Sequence, residues 1–331
     1  MNEHKGKIVV TGGLGFIGHN LCIALQNIGY DLFIVDNRSH NTTKPWHRII
    51  VDQRLQLIDE AGIPIIVNDT TNEFPLEKTL IDIKPDKIIH TAAMPDAGLS
   101  NRDPSAGFNQ NLLSTKILLE IIRKNELSIS QFTFLSSSMI YGDFVSESVD
   151  EDSPKEPKGI YGAAKLSSEL LIKAYHNLID LPYTIIRPSA LYGPRCINNR
   201  VTQIFIERAL KGDPIIIQGD GSQKLDFTFI DDFVGGIVLT QTHPDAINGT
   251  FNLTTGHAEP IGKLATILKK YFPGLEVNYE SWADIIPVRG TLNIDRIKQL
   301  GFEPQYNIET GYPKYIEWYL ENNDSFKIGV K

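Results

Sequence analysis

Short, nearly continuous apolar runs alternate with longer stretches of helical period through the first half of the chain. KIVVT (7–11), DLFIVD (31–36), IPIIV (63–67), DKIIHT (86–91), QFTFLSS (131–137) and LPYTIIRPS (181–189) are read as strands. Their lack of polar alternation is expected of parallel strands covered on both faces. Segments 15–29, 47–61 and 105–125 between them carry helical patterns. Repeated strand–helix units predict an α/β fold, a doubly wound parallel sheet with right-handed crossovers. Beyond about residue 190 the texture changes. Breakers cluster at Gly193-Pro194, Gly212-Asp213-Pro214 and Gly219-Asp220-Gly221, and helical patterns recur near 200–211, 231–241, 261–271 and 309–321. The expected division is a sheet domain over 1–190 and a smaller mixed α/β lobe over 191–331, with the chain free to cross between them.

Composition narrows the class. The 331 residues are 41% hydrophobic with a net charge of −8, which gives no basic face for nucleic acid or an anionic membrane. No apolar stretch approaches the ~20 residues of a membrane helix. The N-terminus runs straight into a strand without a signal region. Cys22 and Cys196 are isolated, without metal-ligand spacing. A reducing, cytoplasmic setting and no metal are expected.

TGGLGFIG (11–18) joins the first strand to the first helix, and its glycines suit a turn that brings backbone N–H groups and a helix N-terminus against a pyrophosphate. Asp36 ends the second strand, 18 residues after Gly18, where a carboxylate would accept from ribose hydroxyls and repel a 2′-phosphate. Arg38, close by, is of the type that accommodates such a phosphate, but NAD is the expected cofactor. In GIYGAAK (159–165), Tyr161 and Lys165 stand at i and i+4 on one helical face. A phenol of pKa about 10 needs nearby positive charge to act as a base. With a serine hydroxyl beside it, such a pair removes a hydroxyl proton while hydride leaves the same carbon. FLSSSMIYG (134–142) places three serines at a strand end.

Together these motifs resemble the extended short-chain dehydrogenase/reductase superfamily, in its NAD-dependent nucleotide-sugar epimerase/dehydratase branch, over nearly the whole length. The resemblance implies a Rossmann-type sheet domain and a C-terminal lobe that mainly binds substrate. It implies cofactor contacts from Gly12, Gly15, Phe16, Ile17, Gly18, Asp36, Asn37, Asp69, Thr70, Ala92, Ala93, Tyr161 and Lys165. Counting back four residues from Tyr141 makes Ser137 the catalytic serine, joining Tyr161 and Lys165. Family 4,6-dehydratases follow this serine or threonine with Asp-Glu, whereas Ser138 and Met139 stand here and cannot exchange protons as such a pair does. The start of this turn is similar to that of 4-epimerases acting through a transient 4-keto sugar. A dehydrogenase or ketoreductase with net NAD(H) turnover uses the same trio and stays open; a 4,6-dehydratase or a noncatalytic NAD-binding protein fits less well. Substrate contacts are implied for Asn111, Ser138, Met139, Arg195, Lys224 and Arg289. Ala190 and Leu225 replace an asparagine and an arginine that relatives use for the diphosphate. The resemblance further implies a nucleotide-activated sugar as substrate and a homodimer built on helices 105–125 and 161–179.

Overall fold

The computed structural model describes residues 5–39, 42–281 and 288–329. Seven parallel strands form the central sheet: β1 (Lys7–Thr11), β2 (Asp31–Asp36), β3 (Ile65–Val67), β4 (Lys87–His90), β5 (Gln131–Leu135), β6 (Tyr183–Arg187) and β7 (Gly249–Asn252). Their spatial order is β7-β6-β5-β4-β1-β2-β3. Chain direction across the sheet reverses between β1 and β4, and at that point the strand ends bring Thr11 opposite both Val35 and His90. Ligands of open α/β sheets bind beyond the carboxyl ends of the strands at such a switch point.

Helices cover both faces. One core joins β1 and β2 to helices Phe16–Asn27, Pro45–Glu60 and Ile230–Thr242 and continues without a break into C-terminal residues such as Tyr192, Tyr312 and Tyr319. The other packs Val9, Ile88 and Phe134 against Leu76, Leu118 and Ile172. The C-terminal lobe therefore shares one core with the sheet. Its strands form small sheets: Ala190–Tyr192 with Lys224–Phe229 and Ala258–Pro260, and Ile215–Gln218 with Val277–Glu280. Among the described residues no helix is long and apolar enough to cross a membrane.

The chain departs from the expected pattern in three places. A helix at Glu73–Ile83 precedes β4. The segment expected as one helix over 105–125 is Pro104–Phe108, a π turn at Asn109–Leu113, and Ser114–Lys124. The seventh strand, Gly249–Asn252, lies far beyond residue 190 and pairs with β6, Gly249 opposite Thr184. Four residues beginning with glycine are too few to display a period.

Glu207, 2% exposed, ties the lobe to the helix after β2. Its carboxylate accepts from Lys44, from Trp46 Nε1 at 2.9 Å, from Gln203 Nε2 at 2.8 Å and from the Tyr319 hydroxyl at 3.0 Å. Burial alone would raise this carboxyl, but donors on His47, Gln203, Lys44 and Trp46 outweigh it and hold the group at about 2. Trp46 and His47 are buried against this hub. Removing one partner strands the rest. Glu207→Ala is expected to lose ~3–5 kcal/mol of stability, read as a lowered denaturant midpoint at unchanged slope.

Candidate active site

The glycine turn leaves β1 and opens the helix Phe16–Asn27 at Gly15, which supplies no side-chain cap, and no acidic residue stands in the first turn. The free N–H groups at this helix start face a cavity of about 500 Å³. A side chain at Gly18 would put Cβ 2.3 Å from the Gly12 carbonyl oxygen, so only glycine lets the helix pack this close. Asp36 lines the cavity; its Oδ2 accepts from Leu14 N at 3.0 Å and its Oδ1 from Arg38 N at 2.7 Å. Two of roughly four lone-pair positions on the carboxylate remain for ribose hydroxyls. Arg38 itself is exposed. Asp69 accepts from Asn37 Nδ2 at 2.8 Å and from Thr71 N at 2.8 Å and Oγ1 at 2.6 Å. Burial raises that carboxyl, and these bonds from Thr71 and Asn37 bring it below its ordinary value.

 Phe16, Ile17, Thr70, Ala92 and Ala93 also line it, as do Ile197 and Asn198 of the C-terminal lobe. An uncapped helix start, a glycine turn and a ribose-facing carboxylate around one cavity fit a dinucleotide.

The three serines divide their work at the end of β5. Ser136 donates to Glu169, Ser138 donates its backbone N–H to the Pro188 carbonyl at 2.8 Å, and Ser137 faces Tyr161. Ser137 Oγ also accepts from Met139 N at 3.1 Å, which caps the short turn Ser138–Tyr141. Tyr161 and Lys165 come from the helix Ile160–Ile179, whose N-cap is Gly159. A Cβ on Gly162 would lie 2.6 Å from the Met139 carbonyl oxygen, so this glycine lets the helix meet the serine turn. Lys165 Nζ donates to the Leu135 carbonyl at 2.7 Å and sits 5.9 Å from the centre of the Tyr161 ring. Burial pulls its ammonium down to about 7, while the charge of Glu169 works the other way. Burial raises the Tyr161 phenol, and Arg200, the Ser137 hydrogen bond and Arg289 pull it back.

A buried network fixes this arrangement. Arg187, at the end of β6, holds Glu169 with two bonds, Nε to Oε1 at 3.0 Å and Nη2 to Oε2 at 2.7 Å. Its Nη1 donates to the Tyr141 hydroxyl and the Glu151 carbonyl, both at 2.8 Å. Tyr141 in turn donates to Asn252 Oδ1 at 2.7 Å. Tyr161, Lys165 and Glu169 are spaced i, i+4, i+8, so one helical face carries both the reacting groups and their support.

The remaining expected residues are distributed unevenly. Arg289 touches the Met139 sulfur, and burial with the neighbouring Arg200 charge pulls its guanidinium down to about 10. Asn111 lies in the π turn; its Nδ2 donates to the Gly107 carbonyl at 2.9 Å and the Met94 carbonyl at 3.3 Å, while its buried Oδ1 has no partner. Arg195 turns toward the first helix, donating from Nε to His19 Nε2 at 3.2 Å. Lys224 is exposed at the start of its strand, opposite Pro260. His90 is 1% exposed and bonds Thr11 Oγ1 at 2.7 Å; burial and the charge of Lys165 push it down to about 3, so it serves as a neutral structural group. Sequence reasoning missed Arg54, Glu169, Arg187 and Arg200. A signal existed for two: Arg54 falls between Ile50 and Ile58 on a buried stripe, and Glu169 continues the face of Tyr161 and Lys165.

The sequence model of the NAD dependent epimerase/dehydratase family matches residues 8–254. A UDP-glucose 4-epimerase structure from Thermotoga maritima, with UDP-glucose, is 27% identical, has a TM-score of 0.86, and aligns over 96% of this chain and 99% of that one. A UDP-glucuronic acid 4-epimerase from Bacillus cereus, in complex with UDP-glucuronic acid and NAD, is 28% identical with a TM-score of 0.86, over 95% and 99%. A dTDP-glucose 4,6-dehydratase from Haemophilus influenzae is 28% identical over 96% of this chain and 99% of its own length.

Lys165 makes stability depend on pH. Its unfolded ammonium titrates near 10.4, the folded one at about 7. Between these values the unfolded chain holds a proton that the folded chain lacks, so Lys165 opposes folding most below pH 7 and ceases to do so above about 10.4. In cofactor-free protein, Lys165→Met is expected to exceed the parent in stability at pH 7, with the margin narrowing toward pH 10 in denaturant titrations.

Proposed function

The chain belongs to the NAD-dependent epimerase/dehydratase family and NAD is its cofactor, and from that premise we propose that it is a nucleotide-sugar 4-epimerase working through a transient 4-keto sugar. Bound along the glycine turn and Asp36, NAD would supply the site's reversible hydride acceptor. Ser137 hydrogen-bonds the 4-oxygen. Tyr161 takes the hydroxyl proton and later gives it back, and Lys165 supplies the positive charge that makes the phenol acidic enough to do so. Arg289 and Met139 border the sugar and its diphosphate.

The observation that carries this reading is the contrast between a complete oxidation trio and an unequipped elimination site. Ser138 is 1% exposed with its backbone bonded to Pro188, and Met139 has no proton to exchange. Glu169, which touches this turn through Ser136, is held by both arms of Arg187 and is not free to act as a base. Contacts from both lobes favour epimerisation over net dehydrogenation. The cofactor cavity is lined by residues of both lobes, and Arg200 Nη2 donates to the Pro95 carbonyl at 2.9 Å. A cofactor gripped from both sides suits recycling in place, whereas a dehydrogenase must exchange it each turnover. Cys22 and Cys196 are buried free thiols, in keeping with a reducing cytoplasm.

A homodimer completes the reading. Leu170 and Leu178 lie 61% and 67% exposed along one side of the tyrosine helix, and Phe108 and Leu113 are exposed on the neighbouring helices. Pairing of the two helices with a second copy would cover them. Leu170→Glu is expected to shift the mass in light scattering from dimer to monomer.

The catalytic test is a panel of nucleotide sugars followed by product mass and absorbance at the NADH band. Unchanged mass, a new stereoisomer and no net NADH is the expected result. Loss of two hydrogens with NADH release would establish a dehydrogenase, and loss of water a dehydratase. Tyr161→Phe should lower turnover by at least ~10²-fold while NAD binding and melting temperature stay near those of the parent.

A further inference from the structure

Among the described residues lining the cofactor cavity, Arg54 is the only cationic side chain. It projects from the helix Pro45–Glu60 and is 2% exposed. Its Nη1 donates to the Leu14 carbonyl in the glycine turn at 3.3 Å, its Nε to the Arg195 carbonyl at 3.1 Å, and its Nη2 to that same carbonyl. None of these acceptors is a carboxylate. A guanidinium has five N–H donors, so two remain uncommitted. Burial pulls the group down to about 10, opposed by Cys196, Tyr315 and the more distant Asp36 carboxylate, which makes no hydrogen bond to it. A buried cation satisfied only by carbonyls is costly unless an anion joins it. The position of that anion is indicated by the neighbours: Leu14 immediately precedes Gly15, where the helix start presents free N–H groups to the same cavity.

A second arm runs alongside. Arg195 Nε can only donate, so His19 Nε2 accepts and the ring proton lies on Nδ1, bonded to the Gly15 carbonyl at 2.8 Å. Burial and the charges of Arg54 and Arg195 keep His19 neutral. Both arms join the glycine turn to residues 195–198, whose Ile197 and Asn198 form the far wall of the cavity.

We propose that Arg54 is the charge partner of the NAD pyrophosphate and, through the Leu14 and Arg195 carbonyls, the clasp that holds the 195–198 loop closed over the bound cofactor. The glycine turn then supplies backbone donors while Arg54 supplies the formal positive charge that no other lining residue carries. Retention of cofactor between turnovers, on which the epimerase reading rests, follows from one side chain touching both walls.

The test compares the parent with Arg54→Met and Arg54→Lys, purified with whatever NAD they carry. NAD content per chain is measured by chromatography, and Kd for NAD and for adenosine by calorimetry after cofactor exchange. Charge-assisted hydrogen bonds of this kind predict a loss in NAD affinity of about tenfold or more for Arg54→Met. Arg54→Lys keeps the charge and loses the fork, and should lose at least about threefold. Adenosine, which lacks the pyrophosphate, should change less than about twofold in both, since it makes no charge-assisted bond. A loss in NAD affinity below threefold in a folded variant overturns the proposal. So does an equal loss for adenosine, which would make Arg54 a strut of the pocket. If Arg54→Met does not fold, Arg54→Lys decides by the same criteria. No sugar enters these measurements, so a failed epimerase assay and a failed Arg54 assignment are distinguishable.

Discussion

The ion pair between Arg187 and Glu169 holds the reacting groups in register. One partner ends a central strand and the other lies two helical turns beyond Tyr161, and both are about 1% exposed. The pair is satisfied in the interior because every oxygen and most N–H groups are used, by one another and by Ser136, Tyr141 and the Glu151 carbonyl. A buried pair contributes little net stability, and breaking one is destabilising. Its value here is geometric. Without it the tyrosine helix would still meet the serine segment at Gly162 and through Ser136–Glu169, Ser137–Tyr161 and Lys165–Leu135, but Glu169 would lose its anchor on β6.

Charge is distributed around this site to a purpose that packing does not require. Lys165, Arg54, Arg200 and Arg289 are brought around the cofactor and the phenol, and burial penalises most of them. A chain of net charge −8 concentrates cations where an anionic dinucleotide and substrate would be received. Anionic ligands bound there would add countercharge, so part of the cost of burying these cations in the free protein would return as binding energy.

Much of this was legible before any coordinates. The strand-and-helix rhythm, the glycine turn, Asp36 and the Tyr161–Lys165 pair are read from local spacing, because each depends on residues close in the chain, whereas Ser137 is singled out of three serines by the family resemblance alone. What was illegible depends on contacts made at long range. Arg54 has a local hint in the buried stripe with Ile50 and Ile58, but its partners, the glycine turn and the 195–198 loop, are visible only in the folded chain. Arg200 sits 39 positions from Tyr161 and meets it through the lobe arrangement. The division at residue 190 follows a change of texture and leaves the chain free to cross, and the structure shows where it does. Helix Ile230–Thr242 and strand β7 return to the sheet domain.

That late return governs how the protein can be made. β6 is complete by residue 187, yet its outer edge gains a partner only when 249–252 arrive, and Asn252 brings the acceptor for Tyr141 with it. A nascent chain, or a fragment cut at the apparent boundary, would display every recognisable signature while leaving a hydrophobic strand edge open to other chains. Completion of the sheet therefore waits for a strand about sixty residues downstream of its neighbour, and a truncated chain would expose a surface prone to self-association before it could catalyse anything.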